Sequence, residues 1–265
     1  MTTKHLTTVE VAEILRCSKY SVRRYVQRGL LPAVQIMPGT TYLIPADAVD
    51  ALLAEVSRVA KANRGVLLRI DPAVRIDDDA PIHGEPGATR FVARTVSGVD
   101  ATRPTPPWLA ARLRLAGIRT ISLPVDISNY VMWELGQPLH FYDAQKLAGE
   151  IVVRRARAGE TLRTLDDKER TLDPEDLLIT DDSGPIGLAG VMGGAATEVT
   201  DATTTIVVES ANFDPVSIAR TRRRHRLPSE ASKRFERGVD PQLPLAAVHR
   251  AAQLIVEFGG GTIEH

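Results

Sequence analysis

His140, in the string GQPLH, and Glu209, in VVES, are the side chains of this sequence best suited to acid–base chemistry on a small polar substrate. An imidazole titrates near neutral pH and can orient or deprotonate a water molecule. A carboxylate can accept a hydrogen bond from a hydroxyl. Each also has a structural reading, since a histidine close to Pro138 can be held by hydrogen bonds and a lone glutamate at a strand end is usually solvated. The glycine-rich segment GLAGVMGGAATEV permits either a close backbone approach at Gly193 and Gly194 or a tight β connection. It is no phosphate loop, because it lacks the Gly-Lys-Ser/Thr ending and a following helix. The basic run Arg220, Arg222, Arg223, Arg224, His225 and Arg226 suits phosphate contact or, equally, a structural hold on the loop that follows. No GxSxG elbow, HExxH or paired-histidine spacing is present. Cys17 is the single cysteine, which rules out an intrachain disulfide and a cysteine-rich zinc site. No metal and no cofactor are expected.

The elements that must position these residues are mixed. Phe91 to Val99 alternates like a strand, Trp108 to Leu115 has a helical period, and Ile151–Arg154, Leu177–Ile179 and Ile206–Val208 are short β-branched runs. A last helix over Leu243 to Phe258 carries Leu245, Val248, Ala252 and Ile255 on one face and stops at Gly259. The expected class is α+β with mixed sheets. Ahead of it, 65–89 carries Asp77, Asp78 and Asp79 followed by proline and glycine, and its latter part reads as an acidic linker.

Residues 1–64 have a different texture. Thr7 to Arg16 forms an amphipathic helix that Thr7 or Thr8 can cap. Ser18 to Arg28 forms a second helix, with Val22, Tyr25 and Val26 inward and Lys19, Ser21, Arg23, Arg24 and Gln27 outward. Gly29 ends it. LLPAVQIMPGTTYLIP then alternates around a Pro38-Gly39 turn, as a hairpin or wing does, and Ala46 to Val59 is helical again. The whole chain balances 33 basic against 33 acidic residues, yet residues 1–65 hold nine basic and five acidic ones. Such asymmetry points to nucleic-acid contact by one module. With 43% hydrophobic residues two cores are affordable, and no apolar run reaches membrane-spanning length. The amino terminus does not read as a signal peptide, so a cytoplasmic protein with no membrane partner is expected.

Three strings, ISNYVMWELGQPLHFYD (Ile127–Asp143), VVESANFDPVSIA (Val207–Ala219) and LPSEASKRFERGVDP (Leu227–Pro241), keep the order and spacing of one family. From about Arg90 to about Ile263 the chain resembles the editing domain of the bacterial phenylalanyl-tRNA synthetase β subunit. The front, with VAEIL, RGLLP and the wing, resembles excisionase and MerR-type helix-turn-helix domains. The first resemblance implies that His140, Glu209, Ser229, Arg119, Asn129, Pro138, Gly193 and Ala231 line a pocket where mischarged tyrosyl-tRNA(Phe) is hydrolysed. His140, Glu209 and Ser229 would be catalytic and the others would bind substrate. Glu209 would accept the hydroxyl that separates tyrosine from phenylalanine, because an unpaired buried carboxylate penalises the wrong ring. Ser229 stands where the family commonly has Thr, Phe141-Tyr142 where it usually has Ala-Phe, and Trp133 where an aliphatic is usual. The second resemblance implies double-stranded DNA as partner, with the second helix in the major groove and a homodimer reading paired half-sites.

Two functions follow as expectations. One is a freestanding deacylase of mischarged aromatic aminoacyl-tRNA, unable to aminoacylate because class II catalytic motifs are missing. The other is a DNA-binding regulator whose editing-like domain senses an aromatic amino acid.

Overall fold

The computed structural model describes residues 4–14, 22, 26, 32–35, 42–50, 74–78, 81–84 and 86–264. The chain divides into two compact units, Met1–Leu68 and Arg69–His265. In the first, β1 (His5–Thr7), β2 (Val34–Gln35) and β3 (Tyr42–Pro45) form an antiparallel sheet in the order β1-β3-β2. Helix α1 (Thr8–Ile14) follows β1 directly. Thr7 starts it through a reciprocal cap: its Oγ1 accepts from the Glu10 amide at 3.3 Å, while the Glu10 carboxylate accepts from the Thr7 amide at 2.7 Å. Leu6, Val11, Val22, Ile44 and Val49 close the core of this unit. The expected wing has its flanks in β2 and β3, with Val34 opposite Leu43. Its Pro38-Gly39 turn lies outside the described residues, and so do Lys19, Ser21, Arg23, Arg24 and Gln27.

The second unit is α+β and is layered around a four-stranded antiparallel sheet of β5 (Ala88–Ser97), β6 (Leu139–Asp143), β13 (Thr205–Phe213) and β14 (Thr262–Ile263), in the order β14-β5-β13-β6. β13 is buried almost throughout, including the polar side chains of Glu209 and Ser210. Its alternate residues serve two cores. Ile206 and Val208 join Val92, Val96 and Phe141 beneath helices α2 (Pro107–Leu115), α3 (Leu123–Leu135) and α6 (Leu243–Gly259). Val207 and Ala211 face the other way and join Tyr142 against a second sheet. That sheet holds β4 (Val74–Asp77), β7 (Ile151–Arg155), β10 (Leu177–Asp181), β11 (Gly184–Leu188) and β12 (Met192–Gly193), in the order β12-β11-β10-β7-β4. A small hairpin of β8 (Thr161–Arg163) and β9 (Glu169–Thr171) and two helices, α4 (Pro215–His225) and α5 (Glu230–Phe235), complete the unit.

One part of the expected linker is integral structure. β4 pairs in parallel with β7, Val74 opposite Ile151 and Asp77 opposite Arg154. Asp78 then accepts two hydrogen bonds from the Arg155 guanidinium, at 3.0 and 2.9 Å, and one from the Gly87 amide at 2.6 Å. The Asp78 and Arg155 side chains are only 2% and 3% exposed. A charge so buried requires its counter-charge, so this segment is fixed to the second unit.

Candidate functional site

Antiparallel pairing of β6 with β13 sets Glu209 directly opposite His140. Side chains so opposed stand on one face of a sheet, roughly 5 Å apart at Cβ. The face is the one that meets the second sheet, because Tyr142, two residues along β6 from His140, belongs to the core on that side. The His140 and Tyr142 rings meet edge-to-face, with centroids 4.5 Å apart and planes at 81°. The Tyr142 hydroxyl donates a short hydrogen bond to Glu209 Oε2. Phe141 lies on the opposite face in the helix-side core. The ring that shapes the site is therefore Tyr142 and not His140's immediate neighbour.

A cavity of about 80 Å³ opens onto this trio, and Pro138, Gly193 and Ala231 also line it. Phe213 and Phe235 form part of its wall, with ring centroids 5.1 Å apart. Gly193 is in β12, and a Cβ there would collide with the His140 ring, 2.7 Å from Nε2. The next glycine, Gly194, has no room either, since its Cβ would lie 2.6 Å from the Ile186 carbonyl oxygen. The glycine-rich segment is thus a tight β connection in which the space left by Gly193 is taken by the imidazole.

Burial controls the protonation of the trio. It pushes Glu209 up to about 7, an effect the hydrogen bond from Tyr142 only partly offsets. It pushes His140 down to about 4. Tyr142 is raised well above the usual phenol range by burial and then by the Glu209 carboxylate. At neutral pH His140 is consequently an uncharged imidazole, and its buried Nε2 has no hydrogen-bond partner. A nitrogen in that state accepts a hydrogen bond from water well but holds a full proton poorly. The arrangement suits orienting a water molecule.

Three other expected residues are placed differently. Ser229 begins α5: its Oγ accepts from the Ser232 amide at 3.0 Å and donates to the Val191 carbonyl at 3.0 Å. Both capacities of the hydroxyl go to fixing the helix that carries Ala231, a positioning role beside the cavity. Arg119 is exposed ahead of α3, and Asn129 is half-buried on α3. Neither lines the cavity: Arg119 lies in the exposed connection before α3, and α3 sends its buried side chains into the helix-side core. Tyr142 carries no mark of a site residue in the sequence alone. The alternation of LHFYD, once its strand is known, puts it beside His140.

The basic run is largely tied down. Arg220 bonds Glu175 at 2.8 Å, Arg222 bonds Glu236 at 2.8 Å, and Arg224 pairs with Asp176 and Glu175. His225 Nε2 lies 2.6 Å from Asp176 Oδ2. Arg223 and Arg226 are exposed. The structural reading of this run thus accounts for most of its charges. Among the described residues no group of three or more His, Cys, Asp and Glu is placed to hold a metal ion, and no helix is long and apolar enough to cross a membrane.

Comparison with known proteins gives the site its context. Residues 6–57 match the helix-turn-helix domain family. The chain is 67% identical over 192 residues to the phenylalanine–tRNA ligase β subunit of Leifsonia xyli, an alignment covering 72% of this chain and 23% of that protein. It is 56% identical over 202 residues to the same subunit of Nocardia farcinica, covering 74% and 24%. The chain therefore spans about a quarter of the length of these relatives. A solved amino-terminal fragment of the phenylalanyl-tRNA synthetase β subunit from Pyrococcus horikoshii is 13% identical with a TM-score of 0.48, covering 99% of this chain and 75% of that one. Residues 87–260, which contain the cavity and every element around it, match the B3/4 domain, and the chain belongs to that family.

Proposed function

We propose that this chain hydrolyses the ester of an aromatic aminoacyl-tRNA in the cytoplasm, and that its front module engages nucleic acid. The observation that supports this reading best is the buried, unpaired Nε2 of His140, beside Glu209 on one sheet face that lines a cavity. The cavity, about 80 Å³, is far smaller than the ~300–1,000 Å³ of common ligand sites, so ribose and tRNA stay outside it. A water held by His140 attacks the ester carbonyl carbon. The bond to the ribose oxygen breaks, that oxygen takes a proton, and free amino acid and deacylated tRNA result. An ester needs no stronger activation than a well-placed water, because positioning alone removes much of the barrier.

The test is deacylation of tyrosyl- and phenylalanyl-tRNA(Phe) by the purified full chain and by His140→Ala. Turnover by the native chain and a loss of about tenfold or more in the variant are expected. Absence of turnover by a folded native chain would refute the reading.

The match of residues 6–57 to the helix-turn-helix family favours a second reading, in which a dimer binds double-stranded DNA and the cavity senses an aromatic amino acid. Under it, Arg24→Ala weakens binding to an operator in a mobility-shift assay, and unchanged binding removes Arg24 from the recognition surface.

A further inference from the structure

Trp133, near the end of α3, is 43% exposed, although a side chain of its size and apolarity gains most from burial. Its ring is not loose. The Arg234 guanidinium of α5 lies over it, 4.7 Å from the ring centroid. Arg234 is itself anchored one turn back, where it donates to the Glu230 carbonyl oxygen at 2.8 Å and to Glu230 Oε2 at 2.9 Å. The other tryptophan of the sequence, Trp108, is enclosed differently: Tyr130 and Phe258 meet it edge-on and Arg112 covers it. Trp133 has no ring neighbour among the described residues. It is an indole steadied by a fixed cation while much of its surface stays in solvent, an arrangement that stacks a nucleobase without reading its identity.

Its place in the chain sets it beside the cavity. α3 ends at Gly136, whose φ of 83° turns the chain, and Gln137 leads directly into Pro138 on the cavity wall. Ala231, also on that wall, stands one turn before Arg234 on α5. The contact between Trp133 and Arg234 therefore joins the two segments that carry Pro138 and Ala231. The local charge is positive: the Glu230 carboxylate is shared between Lys233 at 2.7 Å and Arg234 at 2.9 Å, and the exposed Arg237 has no ion-pair partner among the described residues. In an aminoacyl nucleoside a single ribose separates the ester from the base, so a surface that holds the base must adjoin the site that takes the acyl group. We propose that Trp133 and Arg234 form a nucleobase platform, on which the terminal base of the single-stranded 3′ end of an aminoacyl-tRNA stacks while the neighbouring cations meet its phosphate. This rests on the editing reading above and supplies its nucleic-acid side from residues of the second unit alone.

The experiment uses the full chain carrying Trp108→Phe, in which Trp133 is the only tryptophan. Its fluorescence is titrated with the trinucleotide CCA and, as a control with charge but no base, with ribose 5-phosphate. Saturable quenching by CCA and none by the control is expected. In the native background, Trp133→Leu is expected to raise the KM for deacylation of tyrosyl-tRNA(Phe) by about tenfold, with the loss in KM rather than kcat, and Trp133→Phe, which keeps a ring, should recover most of it. Emission indifferent to CCA, as when another protein segment covers the ring, overturns the platform, and so does a loss in Trp133→Leu that falls on kcat. Either result leaves the hydrolase reading intact as long as the native chain turns over. If no ester is turned over, that reading fails separately and the quenching alone decides whether the platform binds a base. Should Trp108→Phe not fold, the KM values of the two Trp133 variants carry the test.

Discussion

His140 and Glu209 stand opposite each other on neighbouring strands, and burial moves their protonation in opposite directions, to about 4 and about 7. Glu209 binds its proton more tightly folded than unfolded, where the value is 4.5. Its stabilising contribution is therefore complete below pH 4.5 and lost as pH rises through 7. Glu209→Gln, which cannot ionise, should melt higher than the native chain at pH 8, by the equivalent of about 2 to 3 kcal/mol. The gap should close toward pH 5. Thermal melts across this range check it, and a gap independent of pH would remove the buried carboxylate from the explanation.

Gly193→Ala should force the His140 ring out of place. Overpacking of this kind costs about 1–3 kcal/mol. The informative comparison is the double variant: in a His140→Ala background the same change should cost far less, because the atoms it meets are gone. Equal costs in both backgrounds would show that the strain lies elsewhere.

Asp78→Ala should destabilise the second unit by about 3–5 kcal/mol, the usual effect of stranding one member of a buried ion pair. Denaturant melts of the full chain measure it. A loss below about 1 kcal/mol, as for a surface pair, would restore the linker assignment to this stretch.

Asp176 ties α4 to the turn before β10. Burial alone would raise its carboxyl, but hydrogen bonds from His225, the Asp173 amide and Thr221 hold it below the ordinary 3.8. The stability it supplies is present above pH 3.8 and disappears as pH falls through its lower folded value. Asp176→Asn should therefore cost stability at pH 7 and much less near pH 3, as followed by urea melts at the two pH values.

Much of the site could be read from the sequence, because the strings around His140 and Glu209 are long and distinctive and both residues share a cavity with Pro138, Gly193 and Ala231. What could not be read is what depends on register. Tyr142 comes to Glu209 only when β6 is paired with β13, so that alternation places it on the carboxylate's side. Asn129 carries no signal that separates a helix facing one core from a helix facing another, and Arg119 lies exposed in the connection before that helix. β4 escaped because an edge strand in VRID has one half-buried residue followed by three exposed ones, a pattern indistinguishable from polar loop until its parallel partner is known. α1 is legible through its apolar face, while the choice between Thr7 and Thr8 as its cap is settled only by the hydrogen bonds between Thr7 and Glu10.

The parallel pairing of β4 with β7 also has a consequence for the order of synthesis. Val74 emerges from the ribosome long before Ile151, its partner. The rim of the second sheet must then stay unzipped while β5, α2, α3 and β6 are translated. Non-local closure of this sort is slow, and the strand presents open amide and carbonyl groups throughout the delay. The charges at its end, Arg75, Asp77 and Asp78, are well placed to keep nascent copies apart during that wait.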